Sequence, residues 1–260
     1  MSFDTIIQAR MNSNRLPNKV LLNYKNLTPL SILIERLKRS KHLNKIIIAT
    51  TEKKSDNKIV KFCKKNKIFF FRGDENNVLK RYYLAAKKFK VKRIIRITSD
   101  CPLIDYRILD NMIKNFKKKK IDYYSNSYPL PCKYPDGMDI EIFTFKTLKK
   151  TFKRAILPSE KEHVTTYMVK KNNFKIAKKN IKDDLSNYRF TIDYKKDFNF
   201  LCKIIDNFGK EKINSISMKE LISFAKKNLN LISYQKKIKR NQGWKSSLIK
   251  DKKFLLYSNK

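Results

Sequence analysis

The sequence is poor in glycine, cysteine and long apolar runs, and each shortage excludes a class of protein. Only four of its 260 residues are glycine, and neither GxGxxG nor GxxxxGK[ST] occurs, which disfavours a Rossmann dinucleotide site and a Walker site. The four cysteines are isolated, so we expect free thiols rather than a zinc site. Without an apolar run of about 18 residues or a leader-like start, we expect a cytoplasmic protein with no membrane span.

The positive charge is the most conspicuous property of the composition. The chain has 62 basic and 23 acidic residues, a formal net charge of +39. A dedicated nucleic-acid binder concentrates its basic residues on one face and adds aromatic residues for stacking. Here the lysines are spread along nearly every predicted helix. We therefore expect no nucleic-acid partner, with a basic RNA-binding protein as the alternative, and we expect the charge to attract smaller anions such as a nucleoside triphosphate.

In the first half of the chain, short β-branched runs alternate with amphipathic stretches. This alternation predicts an α/β fold with a mostly parallel sheet covered by helices on both faces, in which ligands bind beyond the carboxyl ends of the strands. The predicted strands are Thr5–Ala9, Lys45–Thr51, Ile68–Phe71 and Arg93–Ser99, and the predicted helices are Pro29–Ser40, Asp56–Lys65 and Val78–Lys88.

After residue 120 the pattern becomes irregular, which predicts a small α+β extension and a basic, weakly patterned tail over Tyr234–Lys260. Met138–Thr144 alternates apolar and acidic residues after a proline-rich loop, and such a strand is poorly placed to join a parallel sheet. The predicted strands are Asp122–Ser127, Met138–Thr144, Phe174–Ala177 and Arg189–Asp193, and the predicted helices are Phe145–Arg154, Ser159–Lys171, Asp197–Asn207 and Met218–Asn228.

The loop after the first predicted strand contains the strongest chemical signal. Arg10, Arg15 and Lys19 lie within ten residues, separated by residues that favour turns. Guanidinium groups bind phosphate bidentately and turn amides supply fixed donors, so this loop can hold a polyphosphate. The alternative interpretation is a solvated basic turn in a lysine-rich chain.

The run Gln8–Leu21, Q-A-R-M-N-S-N-R-L-P-N-K-V-L, resembles the N-terminal signature of the cytidylyltransferases, which include the CMP-sialate and CMP-Kdo synthetases. The likeness is closest to the branch of the spore-coat polysaccharide cytidylyltransferase. Asn12 and Asn18 stand where that branch typically has glycine, and asparagine is the residue that best replaces glycine at positive φ. Further matches follow in family order: Ala49–Thr51, Phe71–Asp74, Val78–Tyr82, Thr98–Leu103, Tyr134–Glu141, Glu162–Thr165, Arg189–Asp193 and Asn241–Ser246.

The resemblance implies a fold and a reaction. The fold is the Rossmann-like, GT-A-like three-layer sandwich of nucleotide-diphospho-sugar transferases, expected over residues 1–207, with a helical C-terminal extension and basic tail over 208–260. The reaction is the Mg²⁺-dependent transfer of CMP from CTP to an acidic sugar or related small acceptor, with release of pyrophosphate, in surface-polysaccharide or glycan biosynthesis. Relatives also imply a homodimer, with the region of Met138–Thr144 as an arm on the second subunit. The alternative enzyme is a glycosyltransferase that uses a sugar nucleotide, but Asp100-Cys101-Pro102 lacks the D-x-D motif common in those enzymes.

The resemblance also assigns roles to residues of this sequence. The expected Mg²⁺ ligands are Asp100 and Asp193, for which helix capping is the alternative role. The acidic cluster of Asp136, Asp139 and Glu141 could supply a third member of the metal site, but Asp139 and Glu141 could equally form the solvent face of a strand. His163 could bind the acceptor or lie on a helix surface. The catalytic candidates are Arg10, Arg15, Lys19 and Asp100; the nucleotide-binding candidates are Ala9, Arg10, Met11, Asn12, Ser13, Lys19, Thr50, Thr51, Arg72, Gly73 and Asp74; the weaker acceptor-binding candidates are Asp136, Asp139, Glu141, His163 and Arg189.

Overall fold

The computed structural model describes residues 2–170, 173–238, 240 and 242–258, and its centre is a seven-stranded sheet. The strands are β1 (Phe3–Gln8), β2 (Leu43–Thr51), β3 (Phe69–Gly73), β4 (Arg93–Thr98), β5 (Tyr123–Ser125), β6 (Glu141–Thr144) and β7 (Ile176–Lys178). Their order across the sheet is β3-β2-β1-β4-β6-β5-β7. The predicted mostly parallel α/β fold is confirmed, and the first four predicted strands agree with the structure to within two residues at each end.

Strands β1 to β4 pair in parallel, so their carboxyl ends meet at one edge. Successive apolar residues point to opposite faces, as Ile6 and Ile7 do in β1, and each face has its own apolar cluster. One face is covered by α1 (Pro29–Lys38), α2 (Asn57–Lys65) and α4 (Tyr106–Lys118), and the other by α3 (Val78–Lys88) and α5 (Phe145–Arg154). Helix α4, absent from the predicted helices, packs through Leu109, Met112, Ile113 and Phe116.

The prediction of a free arm at Met138–Thr144 is wrong. Only Glu141–Thr144 forms a strand, and this strand, β6, lies inside the sheet, antiparallel to both β4 and β5. Both of its faces are buried, with Ile142 in one apolar cluster and Phe143 in the other. No apolar edge is therefore left at this strand for a second subunit to cover.

The prediction of a strand at Arg189–Asp193 is also wrong. This segment forms no continuous pairing with another strand and instead contacts the loops that contain Asp136 and Asp100. It makes a single bridge, between Arg189 and Asp136, and the amide of Ile192 donates to the carbonyl oxygen of Asp100 at 2.8 Å. The turn at Gly137 has a φ of +98°, and a Cβ there would lie 2.5 Å from the amide nitrogen of Thr191. Glycine is required at this position because the two segments approach so closely.

The predicted helix Ser159–Lys171 is divided into α6 (Pro158–His163) and α7 (Thr166–Lys170). Val164 between them has a φ of +61°, and the amide of Thr165 donates to the carbonyl oxygen of His163 in a tight turn. A β-branched residue at positive φ ends the helix, since the helical conformation requires negative φ.

The C-terminal part is helical and packs against the main sheet structure. It consists of α8 (Lys195–Lys212, interrupted at Gly209), α9 (Met218–Lys227), α10 (Leu229–Ile232) and α11 (Gln242–Ser258). Helices α8 and α9 share an apolar cluster with Ile32 and Leu103. The tail, for which the sequence predicted only a basic and weakly patterned segment, forms the 17-residue helix α11 over most of its length. Within the described ranges, no helix is long and apolar enough to cross a membrane.

Candidate active site

A cavity of about 1290 Å³ lies over the carboxyl ends of β1 and β4. We call its two sides the N-terminal wall, formed by the loop after β1 and the start of α3, and the C-terminal wall, formed by residues 127–128, 139, 141, 158–170, 240 and 242–250. The floor between them includes Arg96, Thr98 and Asp100 from the end of β4. This location agrees with the rule that ligands of parallel α/β sheets bind beyond the carboxyl strand ends.

The loop after β1 is fixed in place by a buried aspartate. Asp56 accepts hydrogen bonds from the amide of Met11 (2.7 Å) and from the hydroxyl of Thr50 (3.1 Å), and it also bonds to Thr51. Asn18, with a φ of +60°, closes the turn by donating its amide to the carbonyl oxygen of Met11 at 2.9 Å. The expectation of positive φ is confirmed for Asn18 and wrong for Asn12.

Lys19 lies between the two predicted metal ligands. Its Nζ is 3.0 Å from Asp100 Oδ2 and 2.9 Å from Asp193 Oδ1, and it also donates to the carbonyl oxygen of Ile192. Burial alone would lower the pKa of Lys19, but the two carboxylates outweigh it and raise that pKa. Burial would likewise raise the pKa of Asp100, but the ammonium of Lys19 holds it well below its usual range. Neither aspartate caps a helix, since Asp105 caps α4 and Tyr194 precedes α8.

Asp193 is more strongly engaged than Asp100. Its Oδ1 also accepts from Arg15 at 2.6 Å, and its Oδ2 accepts from Arg189 at 2.9 Å. Only 11% of the Asp193 side chain is exposed, compared with 26% for Asp100, and Asp100 alone of the two lines the cavity. Asp193 therefore belongs to a cationic network behind the cavity surface.

Arg189 forms the rear of this network. Its guanidinium contacts Asp136 at 2.5 Å, Asp193 at 2.9 Å and Asp197 at 3.1 Å, and 6% of its side chain is exposed. Burial alone would lower the pKa of Arg189, but Asp197 and the other two carboxylates outweigh it and raise that pKa. The structure places the acceptor candidates Arg189 and Asp136 outside the cavity lining, behind Asp193.

The nucleotide-binding candidates fall into two groups. Ala9, Arg10, Asn12, Ser13 and Lys19 line the cavity, whereas Met11, Thr50, Thr51, Arg72, Gly73 and Asp74 do not. Arg72 donates to the carbonyl oxygens of Thr51 and Lys53, both at 2.9 Å. Asp74 accepts from the amides of Asn76 and Asn77, just before α3. The residues of the second group thus contact other residues of the chain and support the N-terminal wall from outside the cavity.

Arg81 of α3 is a cavity residue that the sequence pattern did not single out. It is 2% exposed, its Nη1 donates to the carbonyl oxygen of Asp74 at 2.6 Å, and its Nε has no hydrogen-bond partner within the described residues. No carboxylate of the described chain lies within salt-bridge distance, and burial lowers the pKa of Arg81. A buried arginine without a counter-ion beside Arg10 makes the N-terminal wall attractive to an anion.

The remaining acceptor candidates lie on the C-terminal wall. Glu141 is buried and accepts from Arg96, from the hydroxyl of Tyr123 at 2.5 Å and from Thr165 at 2.7 Å, so it does not form a solvent face. Asp139 accepts from Arg240 at 2.5 Å. His163 Nε2 is 2.9 Å from the hydroxyl of Ser247 in α11. All three candidates line the cavity.

Comparison with known proteins identifies the family. The family model described as Cytidylyltransferase matches residues 5–238. The chain belongs to the cytidylyltransferase family. A cytidylyltransferase from Leptospira borgpetersenii is 38% identical, with a TM-score of 0.83 over 89% of this chain and 97% of that one. The spore coat polysaccharide biosynthesis protein SpsF of Bacillus subtilis is 32% identical over 86% of this chain and 93% of its own length.

A more distant structure has the same fold. CMP:2-keto-3-deoxy-manno-octonic acid synthetase, solved with CTP, is 13% identical to this cytidylyltransferase, with a TM-score of 0.59 over 80% of this chain and 99% of that one. The similarity confirms the predicted nucleotidyltransferase fold and, together with the family match, a nucleotidyltransferase enzyme.

The cytidylyltransferase can supply one accessible carboxylate to a divalent cation. Among the described residues, no group of three His, Cys, Asp or Glu side chains could form a metal cage. Mg²⁺ bound to a triphosphate usually needs only one or two protein carboxylates, with phosphate oxygens and water completing its shell. Asp100 fits this requirement because its carboxylate faces the cavity. Both oxygens of Asp193 already accept from cationic side chains, so it can join only after Arg15 and Lys19 release Oδ1.

Proposed function

We propose that this cytidylyltransferase transfers CMP from CTP to an acidic sugar or a related small acceptor and releases pyrophosphate, in a cytoplasmic pathway of surface-polysaccharide or glycan synthesis. The observation that supports this proposal most directly is the arrangement of Arg10, Arg15, Lys19 and Asp100 around one cavity at the carboxyl edge of the sheet. Cations for phosphates and one exposed carboxylate for a metal are the requirements of a triphosphate site.

Within this proposal, the N-terminal wall binds the triphosphate. The guanidinium of Arg10 is half exposed, and its nearest carboxylate, Glu75, is 3.8 Å away, so it is available to phosphate oxygens. Arg81 adds a buried positive charge beside it. The backbone amide of Asn12 in this loop supplies a fixed donor without side-chain reorganisation, whereas the amide of Ser13 already donates to the carbonyl oxygen of Met11 at 3.0 Å. Arg15 and Lys19 stabilise the departing pyrophosphate from the Asp193 side.

The reaction needs little covalent chemistry from the protein. The acceptor hydroxyl loses its proton to solvent and its oxygen forms a bond to the α-phosphorus. The bond from that phosphorus to the α,β-bridging oxygen breaks, and pyrophosphate leaves with the electron pair. Positioning and neutralisation of charge therefore determine the rate. Asp100, with Asp193 as a second candidate, would hold Mg²⁺, which supplies charge neutralisation at the phosphates. Lys19 holds both carboxylates in position.

Pyrophosphate release tests the proposed reaction. Purified protein is incubated with Mg²⁺, one nucleoside triphosphate and one member of a panel of acidic and neutral sugars, and pyrophosphate is measured. The proposal predicts release with CTP and an acidic sugar, little release with neutral sugars, and none after EDTA treatment until Mg²⁺ is restored. Release that is equal with all four triphosphates, or unaffected by EDTA, would contradict it.

A further inference from the structure

The chain contains a single tryptophan, Trp244, and it lies at the cavity. We propose that Trp244, at the start of α11, positions the acceptor by presenting its indole face to the sugar ring, and that Lys161 and Lys170 face the acceptor's carboxylate. This inference rests on the proposed function, because the acceptor is the second substrate of that reaction. Trp244 is thereby a specificity-determining residue of the C-terminal wall.

The start of α11 is held against α6 by buried polar contacts. The hydroxyl of Ser247 donates to Glu162 at 2.8 Å and lies 2.9 Å from His163 Nε2, and Ser247 is completely buried. One turn later, Asp251 accepts from the amide and the hydroxyl of Ser159, at 2.8 and 2.5 Å. Buried polar groups with satisfied partners fix a surface in one geometry, so the first turns of α11 form a wall of defined position.

Arg240, two residues before α11, is itself fixed by polar contacts. Its Nη1 donates to the carbonyl oxygen of Tyr134 at 2.8 Å and its Nη2 to Asp139 at 2.5 Å. Its Nε lies 3.7 Å from Asp136. The helix is thus attached on two sides of the cavity, to α6 and to the loop that contains Gly137. Trp244 lies between these two attachments.

The surroundings of Trp244 suit a sugar ring. Its ring is partly exposed at the cavity, 6.4 Å from the ring centre of Tyr128 and 5.8 Å from the Nζ of Lys170. No hydrogen bond from its indole N–H to another described residue occurs, so this donor is available to a ligand hydroxyl. An aromatic face with a free polar edge, in an otherwise polar cavity, binds the apolar face and one hydroxyl of a sugar.

The charge of the same region favours an anionic acceptor. The side chains that line the floor and the C-terminal wall include five cations, Arg96, Lys161, Lys170, Arg240 and Lys250, and four carboxylates, Asp100, Asp139, Glu141 and Glu162. All four carboxylates accept bonds from protein donors. In contrast, Lys161 has no acidic partner within the described part of the chain, and Lys170 has only Asp251, 3.9 Å away, with 36% of its side chain exposed. Two lysines of the C-terminal wall, of which Lys170 lies beside Trp244, therefore remain for a ligand carboxylate.

Intrinsic fluorescence can measure ligand binding beside Trp244, because Trp244 is the only tryptophan of the chain. We expect 2-keto-3-deoxy-manno-octonic acid to change the emission saturably and mannose, the neutral probe, to leave it nearly unchanged. Lys170→Ala should weaken the response to the acid by about tenfold in apparent Kd. Lys150→Ala is the matched control, because the Nζ of Lys150 lies 4.9 Å from the ring centre of Phe174 and does not line the cavity.

Kinetics supply the second readout, with the panel acceptor that reacts fastest. Trp244→Ala should raise the acceptor KM by about tenfold while the CTP KM stays within about twofold, and Trp244→Phe should restore most of the loss because it retains an aromatic face. Unchanged acceptor KM in Trp244→Ala, or no saturable emission change with an acidic sugar, would overturn the inference. Failure of the proposed function gives a different result, because the wild-type protein would then release no pyrophosphate from CTP with any sugar. The emission titration would still show whether the C-terminal wall binds the acidic sugar.

Discussion

Lys19 links the two aspartates that the family resemblance pairs as metal ligands, and its contacts distinguish their roles. Asp100 faces the cavity and contacts Lys19, whereas Asp193 is buried and accepts from Arg15, Lys19 and Arg189. The sequence predicted both residues at strand ends and in family motifs, but it could not predict how many cationic side chains each carboxylate would contact. Those contacts depend on the segment 189–193 crossing between two loops.

Asp100→Asn and Asp193→Asn should therefore have different effects on stability. Asp100→Asn should nearly abolish pyrophosphate release with a loss of only about 1 kcal/mol in unfolding free energy, since Lys19 keeps Asp193 as a partner. Asp193→Asn should cost more, about 2–3 kcal/mol, because it weakens charged contacts to Arg15, Lys19 and Arg189 at once, although Lys19 keeps Asp100 and Arg189 keeps two other carboxylates. Chemical denaturation with activity measured in parallel checks both values. Equal losses of stability in the two variants would contradict the distinction.

The burial of His163 leads to a prediction for how stability depends on pH. Burial lowers the pKa of His163 below its usual value of about 6.5, with Glu162 opposing the shift. The unfolded chain then binds a proton at a higher pH than the folded chain, so stability is lost as pH falls below about 6.5. The melting temperature should drop more between pH 7.5 and 5.5 in the wild type than in His163→Gln. In an NMR titration of the wild type, the His163 resonance is the one that is absent from His163→Gln. A pKa above 6.5 for this resonance would contradict the prediction.

Among the elements, the regularly patterned ones could be predicted from the sequence. The strands β1, β2 and β4 lie inside the sheet with both faces covered, the edge strand β3 is partly buried, and all four have nearly continuous apolar runs, so periodicity and composition agree. Strand β6 has the same burial but follows an irregular loop, and its place between β4 and β5 depends on pairing with residues far away in the chain. Helix α11 has a weak apolar pattern. Polar contacts of Ser247 and Asp251, instead of a continuous apolar face, attach it to α6. Patterns of hydrophobicity do not reveal such contacts.

The dependence of α11 on polar anchors leads to a prediction for Asp251. Asp251→Ala removes the acceptor of both Ser159 bonds, which should cost about 1–3 kcal/mol in local stability. We expect faster amide hydrogen exchange in α11 and a higher acceptor KM, with CTP binding unchanged. Asp206→Ala is the control, because Asp206 contacts Tyr24 and Lys25 at the surface away from the cavity. Equal exchange rates in α11 for both variants would show that Asp251 is not an anchor.

For the whole molecule, the net charge of +39 bears on association with other molecules. That the chain has no nucleic-acid partner stays a prediction, as does the division at residues 207 and 208. The homodimer also stays a proposal, although β6 does not provide the surface expected for it. Large apolar side chains exposed on α11, among them Leu255, Leu256 and Tyr257, are the surface that a second copy would most benefit from covering.

Light scattering tests the dimer. In about 0.15 M salt the Debye length is near 8 Å, so repulsion between the positive surfaces is largely screened. A homodimer should have twice the single-chain mass of 31.1 kDa at micromolar concentration. Leu256→Lys should shift the mass toward one chain without changing the melting temperature appreciably, since Leu256 is 70% exposed. A single-chain mass for the wild type would exclude the dimer.

The most direct test of the account is the change in melting temperature with each of the four nucleoside triphosphates and Mg²⁺. A ligand that binds the native state at about 100 times its Kd stabilises it by about 2.7 kcal/mol, which corresponds to roughly 5–10 °C for a chain of this size. We predict a shift of this order for CTP, clearly smaller shifts for ATP, GTP and UTP, and a reduced CTP shift in Arg10→Ala. Equal shifts for all four nucleotides, or no shift with CTP, would contradict the assignment of the cavity as a CTP site.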